Sequence, residues 1–163
     1  MNLIAQLVTP GDILPDLEVS NKLALFQAVG QICAQSHGIS AAEVVVSLMA
    51  REDKGSTAIG HELAIPHARI KGLALAQGFF VRTRFAIDFD APDGEPVSCF
   101  FVLLVPENAR EQHLQILAHA AEMLSNPEVR DQLTRAVDAE TIFKLFSAWR
   151  PSAQRGVTED LKR

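Results

Sequence analysis

The stretch Val97-Ser98-Cys99-Phe100-Phe101-Val102-Leu103-Leu104-Val105 restricts the architecture more than any other part of the chain. Only Ser98 interrupts its apolar character, so it shows neither alternation nor a helical stripe. A segment with no face to give to water fits a central strand buried on both sides of a sheet. It is far too short to span a bilayer. Residues 78–87 behave differently. Phe79, Val81, Thr83 and Phe85 alternate with Phe80, Arg82 and Arg84, which predicts a partly exposed strand.

Helical patterns surround these strands. Residues 22–36 place Leu23, Phe26, Val29, Ile32 and Cys33 on one face, and Gly38 is positioned to end that helix. Ser40 and Glu43 form an S-x-x-E capping box for a helix that turns Val44, Val45, Leu48 and Met49 inward and runs to about Glu52. A third helix is expected from about Ala109 to Leu124, with Leu114, Leu117, Ala121 and Leu124 inward. Asn126 and Pro127 stop it and open the next, which buries Val129 and Leu133. Asp138 caps the last, which buries Ile142, Phe143 and Phe146. The opening residues 1–20 predict one short strand near Leu17–Val19. Helices, a strand block with hairpins and further helices imply an α/β fold, a single mixed β-sheet flanked by helices on both sides.

At 163 residues and 48% hydrophobic content the chain suffices for one domain, which needs no disulfide or metal staple. The domain is placed at residues 1–149. The polar stretch 150–163, with Pro151 and Gly156, is expected to be a mobile tail. The net charge of −5 argues against a nucleic-acid partner. No basic region followed by an apolar core opens the chain, so a cytoplasmic protein without membrane insertion is expected. Cys33 and Cys99 lie in apolar surroundings without metal-type spacing and read as reduced core thiols.

Five histidines are the first candidates for chemistry. His37, before Gly38 at a helix C-terminus, reads as structural. His113 and His119 are six positions apart on one helix, about 240° round its axis, and cannot share a ligand. His61 and His67 would share a face if their stretch were one strand, but no further ligands complete a zinc site. No resident metal or cofactor is therefore expected. His67 differs in setting. It follows Ile65-Pro66, with the Gly- and Ser/Thr-rich segment 55–60 upstream and Arg51 and Arg69 on either side. Backbone N–H groups of such a segment, together with two cations, suit an anion. Two readings stand on these residues alone: a carrier of a phosphoryl group, and a loop-end histidine satisfied by its neighbours.

The segment Arg51-Glu52-Asp53-Lys54-Gly55-Ser56-Thr57-Ala58-Ile59-Gly60, continuing to Ala64-Ile65-Pro66-His67, resembles the active-site motif of fructose/mannitol-type enzyme IIA domains. These belong to the bacterial phosphoenolpyruvate-dependent phosphotransferase system. Leu104-Val105-Pro106, then His113-Leu114 and Leu117, resembles the family's second motif. The likeness runs from about residue 3 to residue 147. With no fused IIB, IIC or phosphocarrier module, the chain looks most like the nitrogen-related regulatory branch. His61-Glu62-Leu63 departs from the family pattern, which has a small or amide residue followed by glycine there.

The resemblance implies that His67 accepts the phosphoryl group and that His113 and Arg51 stabilise it, with Ser56 and Thr57 in a possible phosphate loop. It implies a histidine phosphocarrier as donor, HPr or its nitrogen-branch counterpart NPr. Regulatory target proteins, or the cysteine of a IIB domain, would then read or receive the phosphate. A non-catalytic interaction module on the same fold is the reading from another class. The chemistry is consistent with the residue types. At an ordinary histidine pKa about three quarters of the side chain is neutral at pH 7, so no strong base is needed. No G-x-x-x-x-G-K-[ST] loop is present, so the donor is expected to be a phosphoprotein and not ATP.

Overall fold

A computed structural model describes residues 2–152. The elements are α1 (Leu3–Leu7), a 3-10 turn (Pro10–Asp12), β1 (Ile13–Leu17), α2 (Lys22–His37) and α3 (Ala41–Asp53). They continue with β2 (Ala58–Gly60), β3 (Leu63–Ala64), β4 (His67–Ile70), β5 (Gln77–Ile87) and β6 (Val97–Pro106). The helices α4 (Glu111–Ser125), α5 (Pro127–Arg135) and α6 (Ala139–Ala148) close the chain.

The apolar run forms β6, which has a strand on each side. The sheet order is β1-β5-β6-β3-β2, with β4 also paired to β6. β5 runs antiparallel to β6, whereas β3 and β4 run parallel to it, so the sheet is mixed. Phe100, Val102 and Leu104 point to one face and pack with Leu25, Phe26, Val29, Val44 and Leu48 of α2 and α3. Phe101 points to the other and packs with residues of α1, α4, α5 and α6. The expected mixed sheet with helices on both sides is what forms.

Several local expectations need correction. β5 is buried on both faces over Phe79, Phe80 and Val81, and opens to solvent only later, where Phe85 is 61% exposed. The first strand is Ile13–Leu17, pairing parallel to β5, and not Leu17–Val19. The stripe of α2 is turned by one edge: Leu25 is buried while Leu23 is exposed. In α4 the same slip occurs, with Ile116, Ala120 and Met123 inside and Leu114 exposed. Apolar spacing gives the width of a stripe but not which flank meets the sheet.

The caps follow the sequence. Asn126 Oδ1 accepts N–H groups of Glu128 and Val129, Asp138 Oδ1 accepts that of Thr141, and Ser40 Oγ accepts that of Glu43. Gly38 takes φ +65°, the left-handed conformation that closes α2. Asn2 ties the chain ends together. Its Oδ1 caps α1 through Ala5 N–H, and its Nδ2 donates to the carbonyls of Phe146 and Trp149 at 2.7 and 2.6 Å. Trp149, 6% exposed, stacks edge-on against His119 of α4. Pro151 is buried and Ser152 N–H donates to Glu122, so the chain holds to the domain that far. The rest of the expected tail, 153–163, lies outside the described residues. Among the described residues no helix is long and apolar enough to cross a membrane.

Candidate active site

His67 owes its position to an interrupted strand. β2 and β3 form a hairpin whose turn residues, His61 and Glu62, take φ 54° and 63°. Two consecutive left-handed residues define a type I′ turn, the geometry that matches strand twist. The departure from the family pattern thus sits at a turn that normally favours Asn and Gly. His61 and His67 consequently do not share one strand. After β3 the chain breaks at Ile65-Pro66 and resumes as β4. Leu63 pairs with Cys99 and His67 with Leu103, an advance of four residues on each strand, so the register is kept across the break. Pro66 lacks an N–H to donate, but its carbonyl accepts Leu103 N–H at 2.9 Å.

The break turns the imidazole back on its own chain. His67 Nδ1 lies 2.9 Å from the Ile65 carbonyl. A carbonyl only accepts, so Nδ1 carries the proton and Nε2 keeps its lone pair. Burial pushes the His67 pKa below the ordinary histidine value, and the Arg51 charge pushes the same way; the Ile65 carbonyl and Glu52 oppose them. His67 is therefore a neutral imidazole with a defined tautomer.

His113 stands opposite. It is the third residue of α4 and buried, with its ring 5.3 Å from that of His67 and inclined by 61°. Burial lowers its pKa too, helped by His67 and Arg69. Its Nδ1 is enclosed and has no hydrogen-bond partner among the described residues. Arg51, in the last turn of α3, donates from one guanidinium nitrogen to the Gly55 carbonyl at 2.8 Å, which leaves other donors free. A cavity of about 350 Å³ joins His67, His113, Arg51, Arg69, Lys54 and Ser47. Its wall is cationic although the whole chain carries −5.

Ser56 and Thr57 are not among the residues lining this cavity, and their hydroxyls are engaged elsewhere. Ser56 Oγ donates to the Phe89 carbonyl, and Thr57 Oγ1 donates to Glu52 at 2.7 Å. Sequence reasoning brought His67, His113 and Arg51 into one site but missed Lys54, Ser47 and the buried Glu52. The signal for two of them was present: Ser47, Arg51 and Lys54 recur at i, i+4 and i+7 along α3 and its C-cap. The other histidines lie elsewhere. His37 Nε2 pairs with buried Asp12 at 2.9 Å, and His119 faces Trp149.

Comparison with known proteins gives a consistent picture. Residues 6–149 match the family described as "Phosphoenolpyruvate-dependent sugar phosphotransferase system, EIIA 2". A nitrogen regulatory protein of Bradyrhizobium diazoefficiens is 36% identical over 144 residues, covering 88% of this chain and 94% of that one. The crystal structure of the nitrogen regulatory protein IIA-Ntr from Neisseria meningitidis superposes with a TM-score of 0.84 at 41% identity, covering 89% of this chain and 99% of that one. The mannitol IIA of Escherichia coli shares the fold, with a TM-score of 0.72 at 15% identity over 85% of this chain and 98% of its own.

Proposed function

The chain belongs to the EIIA 2 family of the phosphoenolpyruvate-dependent sugar phosphotransferase system, and on that premise we propose that it is a regulatory phosphoryl carrier whose acceptor is Nε2 of His67. The observation that carries this reading is the tautomer. The Ile65 carbonyl holds the proton on Nδ1, so the Nε2 lone pair is available without a base. In the transfer, Nε2 forms a bond to phosphorus as the donor's phosphorus–nitrogen bond breaks, and the electron pair returns to the donor imidazole. Charge spreads over the three equatorial oxygens. Arg51, Arg69 and Lys54 line the cavity where those oxygens would lie, and His113, which also lines it, would donate once the phosphoryl dianion raises its proton affinity. His113 also lies in the first turn of α4, where an anion is favoured.

The donor in this reading is a histidine phosphocarrier, HPr-like or NPr. The functional unit is the domain of residues 1–149, acting in the cytoplasm. Its phosphorylation state would set which target proteins it binds, because added charge at one site makes or abolishes a contact. The nitrogen regulatory relatives favour this branch over transfer to a IIB cysteine. The test is intact-mass measurement after incubation with phosphoenolpyruvate, enzyme I and either phosphocarrier. One acid-labile phosphoryl group on wild type, absent from His67→Ala, is expected. No transfer from either carrier overturns the reading and leaves an interaction module on this fold.

A further inference from the structure

A buried glutamate connects the two ends of the candidate site. Glu52 is 5% exposed, and both its oxygens are engaged by one residue: Thr57 N–H at 2.9 Å and Thr57 Oγ1 at 2.7 Å. Thr57 passes the constraint on, since its carbonyl accepts Ile65 N–H at 3.0 Å. Ile65 in turn offers its own carbonyl to His67 Nδ1–H. The loop that Glu52 closes also contains Gly55, whose carbonyl holds Arg51. A carboxylate that accepts two hydrogen bonds in a desolvated place is a strong constraint, because charged acceptors form the stronger bonds. One interior carboxylate is therefore linked by hydrogen bonds to the nucleophile's ring and lies in the loop that holds Arg51.

We infer that Glu52, acting through Thr57, is a positioning residue for phosphoryl transfer: it sets the Ile65 carbonyl that selects the His67 tautomer, and it shapes the loop that holds Arg51. This rests on the assignment of His67 as the acceptor. It gives Glu52 and Thr57 a role that involves no contact with phosphate. The charge of Glu52 has a separate effect. Arg51 and Glu52 on α3, Arg69 on β4 and His113 on α4 are the charged and titratable groups about the His67 ring, with Lys54 at the cavity edge. Among the described residues Glu52 is the acidic group acting on this ring, and it favours the protonated form.

Two substitutions separate geometry from charge. Thr57→Val removes the hydroxyl arm of the clamp and leaves the N–H arm. Glu52→Gln retains the shape, since its amide can donate to Thr57 Oγ1 while its oxygen accepts Thr57 N–H, but removes the charge. Ring-nitrogen NMR of unphosphorylated protein reads the His67 tautomer and titration midpoint, and the rate of phosphoryl acceptance is measured alongside. Thr57→Val is expected to populate both tautomers and to accept phosphate about 10- to 100-fold more slowly, and Thr57→Ser to restore both. Glu52→Gln is expected to keep the tautomer and move the His67 midpoint to lower pH. A Thr57→Val protein with the wild-type tautomer and rate overturns the inference. If Thr57→Val does not fold, Thr57→Ala, which also removes the hydroxyl arm, is read in its place with the same expected and overturning results. Failure of wild type to accept phosphate would count against the carrier reading, whereas the NMR readouts test the positioning role without any transfer.

Discussion

His67 and His113 are both held neutral mainly by burial, and each is set below the ordinary histidine value. In the unfolded chain they would titrate near 6.5. Between that value and their lower native ones the unfolded state binds more protons, so stability rises with pH across this window and falls as pH drops through it. The urea midpoint should therefore fall between pH 7 and pH 5, and His67→Gln with His113→Gln should flatten that dependence. Arg51→Gln should move the His67 midpoint upward, since Arg51 is one of the groups holding it down. The same substitution should slow phosphoryl acceptance by about 100-fold, as loss of one donor to a developing anion does; stopped-flow or quenched transfer assays would measure it. His67 could be singled out from sequence because Ile65-Pro66 fixes how the chain reaches it. Glu52 could not, because an acidic residue near the end of a helix looks like surface until Thr57 is seen folded over it.

Short elements are where tertiary contacts outweigh local pattern. β6 is recognisable at once, because nine residues with one polar interruption admit few alternatives. α1 has five residues, too few for a helix to persist alone. It exists because Asn2 caps it and grips the end of α6. Asn2→Ala should lower stability by about 2 kcal/mol, from a lost cap and the Phe146 carbonyl deprived of the Asn2 donor, while the Trp149 carbonyl keeps Arg150 Nη1; equilibrium denaturation would show it. β1 lies upstream of the strand expected near Leu17–Val19 for a related reason. It carries Pro15, and its pairing with β5 and not its composition makes it a strand. The His61-Glu62 turn holds two side chains in a conformation that disfavours them. Glu62→Gly should stabilise the protein by about 1 kcal/mol, read as a higher urea midpoint with an unchanged slope.

Across the whole molecule, net charge and local charge have opposite sign. The chain carries −5, yet the candidate site presents Arg51, Lys54 and Arg69. The folded chain gathers cations where an anion would arrive. The thiols give a measure of global integrity. Burial pushes Cys33 up to about 12 and raises Cys99 as well, so neither is a ready thiolate. An aromatic disulfide reagent should find almost no reactive thiol in native protein and two after denaturation. The contact between Trp149 and His119 has an optical consequence. The chain has one tryptophan and no tyrosine, so excitation near the indole band reports on a single place. That place lies against α4, the helix whose first turn carries His113. The emission of Trp149 is thus a built-in gauge, free of any attached dye, of whether events at one end of α4 are felt at its middle.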